Sequence, residues 1–288
     1  MASFSISDGI LNGAKQIPHL PFRNTQINPI YIAIHYTGGS SLQSSIKYLR
    51  DVGYSYQILV DRDGNATQGT PLAKRASHAG YSNWKGRDSL NDFSIGISLA
   101  NLGYLDRNGN KYYRTNSHGD PTTPIFDESE VIKARHWNGH NGSTVKGWEP
   151  YTTAQYDTLK ELCAVLRAEY PSIIDIMSHE EIAVGRKPDP GMAFKWNDLY
   201  PLFPNRQNDL GPTYEVRVPP GDNLHVRKGP NGSWGVKDRL ANGTRVHLRS
   251  FAYKYQGRTP VKSVWASISL IGEMGHHGFV HSGFLNQT

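Results

Sequence analysis

Apolar residues gather in three short runs, each closed by polar or glycine-rich text. Residues 30–34 (Ile-Tyr-Ile-Ala-Ile) are β-branched and aromatic, which predicts a buried strand that delivers His35 at its C-terminal end. Ser40 and Ser41 then offer N-caps to a segment where Leu42, Ile46 and Leu49 recur at helical spacing. Residues 56–60 (Tyr-Gln-Ile-Leu-Val) read as a second strand, stopped by a turn at Asp63 and Gly64, and residues 93–99 as a third. From 101 to 150 no period persists and Gly, Asn, Asp and Pro recur, which predicts an insertion of loops around a short helix at 127–137. Beyond it, Thr152 and Gln155 have capping-box spacing, and Tyr156, Leu159, Leu162, Cys163, Leu166 and Tyr170 form one apolar stripe, so a helix is expected there with Cys163 in the core.

Strand, helix, strand, strand, helix predicts an α/β fold with a mixed central sheet flanked by helices. That unit is expected to span residues 1–203. Residues 204–213 are polar and proline-bounded, as a linker would be. From 214 to 288, strand candidates at 224–227, 245–248, 264–268 and 278–280 alternate with Gly, Asn and Pro turns, which predicts a small all-β barrel.

Composition agrees with two such units. At 288 residues the chain exceeds one average domain, and 29 Gly with 17 Pro favour turns and long loops over a helical bundle. The N-terminus has no basic region followed by an apolar run, and no stretch of 18 apolar residues occurs, so neither a Sec-type signal nor a membrane span is expected. The single Cys163 rules out an internal disulfide and fits synthesis in a reducing cytoplasm. Charge placement adds a further distinction. The net +6 lies wholly in residues 214–288, where ten Lys and Arg face four acids, and the rest of the chain is neutral. A basic tail points to a polyanionic partner, whether nucleic acid, wall polymer or lipopolysaccharide, and composition does not choose among them.

His35, His179 and Asp189 make a possible two-His, one-carboxylate set, the donor type of a catalytic zinc with a fourth position left for water. In a chain with 12 histidines, spacing alone is a weak signal. The surrounding text is stronger: Ile-His-Tyr-Thr-Gly-Gly at 34–39, Tyr-Gln-Ile-Leu-Val-Asp-Arg-Asp-Gly at 56–64, His-Ala-Gly at 78–80, Asn-Asp-Phe-Ser-Ile-Gly-Ile at 91–97, and Ser-His-Glu-Glu-Ile-Ala-Val-Gly-Arg-Lys-Pro-Asp-Pro-Gly at 178–191. In this order the five stretches closely resemble the type 2 N-acetylmuramoyl-L-alanine amidases, a superfamily of phage lysozyme-like amidases and peptidoglycan recognition proteins, over residues 28–203.

The resemblance implies zinc-dependent cleavage of the amide bond between N-acetylmuramic acid and L-alanine in peptidoglycan. It implies His35, His179 and Asp189 as ligands of Zn²⁺, with Tyr56 and Lys187 facing the metal to stabilise the oxyanion. It also implies His78, Trp84 and Asn91 along the substrate groove. The long insertion, with His136, Trp137, His140 and Trp148, is expected to wall the same groove. One departure stands out: Ser98 occupies the place of a Glu that acts as a proton-transferring base in many bacterial members, although phage-type members do without it. A second metal site at His136 and His140 has i, i+4 spacing, but solvated loop histidines are the better expectation.

In the tail, Asn-Leu-His-Val-Arg-Lys-Gly-Pro at 223–230, Trp265 and Gly-Phe-Val-His-Ser-Gly-Phe-Leu at 278–285 resemble bacterial SH3-type domains, which implies wall binding and makes an anionic wall polymer a candidate partner. The leading expectation is therefore a lytic, endolysin-like or autolysin-like amidase that acts on the cell wall. The alternatives are a cytosolic amidase of recycled muropeptides and a non-catalytic peptidoglycan receptor, with nucleic-acid binding the weakest.

Overall fold

The computed structural model of the chain describes residues 4–115, 120–138, 144–273 and 275–288. After a short edge strand, β1 (Lys15–Gln16), the first apolar run becomes β2 (Tyr31–Tyr36), buried along its whole length. Helix α1 (Leu42–Val52) starts where the Ser41 side chain accepts the Ser44 N–H and stops at Gly53, whose φ of 76° is left-handed and suits glycine. Strands β3 (Ile58–Val60), β4 (Ala66–Gln68) and β5 (Ser94–Leu99) follow.

The stretch 101–150 departs from expectation. Instead of loops around a helix it forms a five-stranded antiparallel sheet of β6 (Tyr104–Asn108), β7 (Lys111–Thr115), β8 (Pro121–Asp127), β9 (Ile132–Arg135) and β10 (Val145–Trp148), in the order β8-β7-β6-β10-β9. The Asp127–Glu130 capping box is present, yet it caps only a 3₁₀ turn over Glu128–Glu130. The physical reason is exposure: β8 is largely solvated on both faces, so no apolar alternation marks it as a strand.

The remaining elements are α2 (Thr153–Glu169), with the expected Thr152–Gln155 capping box, then β11 (Asp175–Ser178) and the one-turn helix α3 (His179–Ile182). The central sheet has the order β11-β2-β5-β3-β4-β1, parallel from β11 to β3 and antiparallel between β3 and β4, which is the mixed α/β sheet expected. Strand alternation sorts its two faces. Ile32, Ile34, Ile95, Ile97 and Leu99 pack with Leu159, Leu162, Cys163 and Leu166 of α2. Tyr31 and Ala33 belong to a different apolar cluster with Met177 and Ile182, and His35 follows them on that face. Ser94, Gly96 and Ser98 share it, with Ser98 directly beside His35 in register.

The tail is a seven-stranded antiparallel sheet in the order β14-β13-β17-β16-β15-β12-β18. Its strands are β12 (Thr213–Val216), β13 (Asn223–Arg227), β14 (Val236–Ala241), β15 (Arg245–Gln256), β16 (Thr259–Leu270), β17 (Gly278–His281) and β18 (Leu285–Gln287). Its core holds Val216, Leu224, Val226, Val246, Ile268 and Val280. The long β15–β16 hairpin docks on the α/β half: Lys85 donates its N–H to Arg249 O at 2.6 Å, and Tyr253 donates to Val184 O at 2.8 Å. Asn83 bonds both the N–H and the carbonyl of Phe251, at 2.5 and 3.1 Å. Arg249 reaches Glu181 of α3 at 2.8 Å.

Residues 204–213, expected as a linker, are tied down. A 3₁₀ turn over Pro204–Asn208 places Arg206 Nε 2.8 Å from Asp175, and the Asp209 carboxylate accepts the Tyr31 hydroxyl at 2.5 Å. No helix among the described residues is long and apolar enough to cross a membrane.

Candidate metal centre and its groove

His35 leaves the C-terminal end of β2, the usual site-bearing end of a parallel sheet. His179 is the first residue of α3, fixed because Ser178 accepts the Glu181 N–H while the Glu181 carboxylate accepts the Ser178 N–H. Asp189 lies on the loop beyond, and its carbonyl accepts the Glu180 N–H at 2.8 Å, folding the loop back on the helix. Gly191 ends this loop with φ 80°, so close to the Trp148 ring that an added Cβ would sit 2.2 Å from it. Glycine is required there by both conformation and space.

These residues converge. His35 Nδ1 lies 3.0 Å from His179 Nδ1 and 3.0 Å from Asp189 Oδ2, and His179 Nδ1 lies 2.8 Å from the same oxygen. Their outer partners fix the proton positions. His179 Nε2 lies 3.1 Å from the Ala79 carbonyl, an acceptor, and 3.3 Å from Arg186 Nη2, a donor already engaged with that carbonyl at 2.6 Å; the shorter contact places the hydrogen on Nε2 and leaves Nδ1 as the lone pair. His35 is oriented by a chain of hydrogen bonds. Ser94 Oγ donates to Leu90 O at 2.6 Å and so accepts, weakly at 3.5 Å, from His78 Nε2. His78 Nδ1 is then the acceptor for His35 Nε2–H at 3.0 Å, which leaves His35 Nδ1 bare as well.

Three acceptors therefore face one another without a proton among them, an arrangement that needs a cation. Their separations of 2.8–3.0 Å are close to the roughly 3.3 Å edge of a tetrahedron with zinc bonds of about 2.0–2.1 Å, so small outward movements suffice. The donor set of two imidazoles and one carboxylate fits Zn²⁺ and supplies three of its four positions.

Electrostatics agree. Burial lowers the basicity of both imidazoles, pushing His179 down to about 3 and His35 below its ordinary value, so both stay neutral and able to ligate. Burial alone would raise the Asp189 carboxyl, but the adjacent His179 and His35 hold it well below the usual carboxylate range. The Tyr56 ring lies 4.9 Å from that of His35, and burial raises its phenol pKa, keeping it a donor. Ser98 Oγ is buried and has no hydrogen-bond partner among the described residues. Lys187 lies two residues from Asp189, and burial lowers its ammonium pKa, opposed by that carboxylate.

His179 and Asp189 line a groove of about 870 Å³ together with Tyr56, His78, Asn91 and Lys187, and His35 lies buried behind them. His78 is buried behind His35 and orients it, and Asn91 accepts the N–H groups of His78 and Ala79 at 3.1 and 2.7 Å, holding that loop in place. Trp84 is placed elsewhere. It is 1% exposed, with Arg249 at 4.7 Å and Lys85 at 5.3 Å from its ring, so it packs beneath the tail hairpin and offers no face to a sugar. A second cleft, of about 900 Å³, between α1, α2 and the N-terminal segment gathers Asp61, Asp63, Asp157 and Glu161 among its lining, but no histidine.

Sequence reasoning expected His136 as a solvated loop residue and gave Asn138 and several arginines no role. His136 is buried and bonds Glu180 at 2.7 Å, and Asn138 donates to the carbonyls of Glu180 and Lys187 at 3.3 and 2.8 Å, so the insertion props the Asp189 loop. His140, its expected companion, lies outside the described residues. Arg186, which donates to Ala79 and Tyr81 carbonyls at 2.6 and 2.7 Å, stood inside a recognised motif. Arg23, Arg75 and Arg114 also line the groove, and no sequence signal marked them.

The chain is 34% identical over 150 residues to the 1,6-anhydro-N-acetylmuramyl-L-alanine amidase AmpD of Enterobacter cloacae, covering 52% of this chain but only 57% of that relative's length. It is 28% identical over 214 residues to the AmpD of Haemophilus influenzae, covering 66% of this chain and 92% of that one. A crystal structure of an AmpD derivative aligns at a TM-score of 0.47 and 26% identity, covering 68% of this chain and 98% of that one. The N-acetylmuramoyl-L-alanine amidase family model matches residues 25–192, a span that contains all three converging side chains, and the chain belongs to that family.

Proposed function

We propose that the chain is a zinc-dependent amidase that hydrolyses the bond between N-acetylmuramic acid and L-alanine in peptidoglycan. The observation that carries this reading is the cluster of two imidazole nitrogens and one carboxylate oxygen, mutually 2.8–3.0 Å apart, two of whose residues, His179 and Asp189, line an open groove. Zinc, when bound, supplies a Lewis acid for the scissile carbonyl and for the attacking water.

The chain's own groups do the rest. His35, His179 and Asp189 hold the ion, and His78 keeps His35 in the ligating tautomer. The Tyr56 phenol, protonated at all working pH values because it is buried, donates to the oxygen that gains charge. Lys187 adds a positive charge in the same groove. Each such donor is worth roughly 3–4 kcal/mol of barrier. Ser98 has no basicity to take a proton, so in this reading the water is activated without a carboxylate base.

We further infer that residues 214–288 form a bacterial SH3-type unit for an anionic cell wall, after residues 1–203 as catalytic unit and 204–213 as connection. The support is the motif text and the basic surplus of the tail. A lytic role fits such a unit. The names of the AmpD relatives favour a second reading, in which the substrate is a soluble 1,6-anhydromuropeptide from wall turnover. Incubation with intact sacculi and, separately, with anhydromuropeptides, each with and without chelator, discriminates the two. Free L-alanine amino termini, detected by mass spectrometry and abolished by chelator, are expected. Retention on sacculi with no new termini from either substrate would instead indicate a receptor.

A further inference from the structure

The groove is strongly cationic. Arg23, Arg75, Arg114, Arg186 and Lys187 line it, while Asp189, its one carboxylate among the described residues, is committed to the His35–His179 cluster. Most of these cations already have structural work. Arg75 is paired with Asp92, Arg186 is bound to two backbone carbonyls, and Lys187 belongs to the reaction centre.

Arg23 is exposed and its side chain has no fixed partner among the described residues, so nothing positions it. Arg114 differs in origin and in being held. It comes from the inserted sheet, on β7, where the register against β8 shifts between Tyr112 and Arg114, an irregularity that re-aims side chains. Its guanidinium lies 4.0 Å from the centre of the Tyr104 ring, and one N–H donates to Tyr104 O at 3.1 Å. The group is thus held flat in one place. Among the described residues it has no other hydrogen-bond partner and no ion pair, since the nearby Asp106 is taken by Lys146 at 2.7 Å and Thr115 at 2.5 Å. A pre-positioned planar fork with unused donors, set in a groove beside a hydrolytic centre, matches a carboxylate.

We propose that Arg114 reads a free carboxylate on the peptide stem, and so makes the enzyme selective for stems whose γ-linked glutamate keeps its α-carboxylate over stems in which that group is amidated. The inference rests on the amidase reading above. In it the inserted sheet is a specificity element, and Arg114 contacts the substrate without touching the scissile bond.

The test uses two synthetic muramoyl peptides that differ only in this carboxylate, free or amidated. In the zinc-loaded wild type, kcat/KM is expected to favour the free acid by about tenfold or more, the scale of a charge-assisted hydrogen bond. In Arg114→Ala the preference collapses toward unity, and in Arg114→Lys, which keeps charge but loses the fork, it falls partway. A preference that survives Arg114→Ala, or a wild type with none, overturns the proposal. Because the readout is a ratio, a general loss from imperfect folding does not imitate the effect. Calorimetric binding of the same pair separates the two claims: if neither peptide is hydrolysed the amidase reading fails, while the ratio of Kd values still decides for or against Arg114.

Discussion

At the scale of single residues, the chemistry depends on where hydrogens sit. If His35, His179 and Asp189 hold zinc, replacing any one of them with Ala should leave the purified protein with little bound metal by elemental analysis. A full complement of zinc in Asp189→Ala would sink the assignment. His78 acts one step further out. Its loss frees His35 to rotate, and His78→Phe should weaken zinc about 10- to 100-fold in a chelator competition, as outer-shell partners of ligating imidazoles generally do. Tyr56→Phe should behave differently, keeping its zinc and losing about 10²- to 10³-fold in kcat. The three converging side chains were legible in the sequence because each stands in a stretch of recognisable text. His78 was legible as a groove residue but not as the partner of His35, since nothing in a linear pattern brings Ser94, His78 and His35 into one chain of hydrogen bonds. Trp84 misled for a related reason: a tryptophan next to groove residues says nothing about a hairpin 165 residues later that covers it.

At the scale of elements, legibility followed burial. Strands β2 and β5 and helix α2 carry apolar faces because the core lies against them, and those faces appear as runs and stripes in the sequence. The inserted strands carry no such record. They bond to one another while much of β8 and β9 remains in water, so their order comes from backbone pairing that composition does not encode. Their importance emerges only in three dimensions, where Asn138 bridges the carbonyls of Glu180 and Lys187. Asn138→Ala should leave two carbonyls short of a donor, costing about 1–3 kcal/mol in urea unfolding and loosening zinc. An unchanged unfolding midpoint would remove the insertion from the architecture of the centre. Gly96 marks another element-level constraint: a Cβ there would lie 2.6 Å from the His78 ring, so β5 must stay bare for that imidazole to cross the sheet.

At the scale of the whole molecule, the tail is part of the scaffold. Its hairpin supplies backbone and side-chain partners to residues 83–85 and to α3, and Lys262 pairs with Asp88 at 2.7 Å, so some of its basic surplus is spent on the α/β half. A chain cut after residue 213 should therefore uncover Trp84 and Val184 and melt several degrees lower, or aggregate; an unchanged melt would show that the two halves are energetically separate. The tail also contributes to pH sensitivity. Burial holds His276 down to about 3, so it stays neutral in the folded protein while the unfolded chain takes up a proton below about 6.5. The unfolded state then binds more protons, and stability should decline as pH falls from about 6.5 toward 3. Melting curves across that range, recorded with chelator so that metal release plays no part, should be flatter in His276→Phe.

The bonds from Arg249 to Glu181 and from Tyr253 to Val184 join the tail directly to the turn that carries His179. Anything grasped by that outer sheet is consequently presented at a constant bearing from the cutting edge, as work is held in a vice and not on a leash. If the proposed wall binding and amidase activity both hold, an immobilised molecule would open the bonds within one fixed footprint and leave those a few ångströms outside it intact.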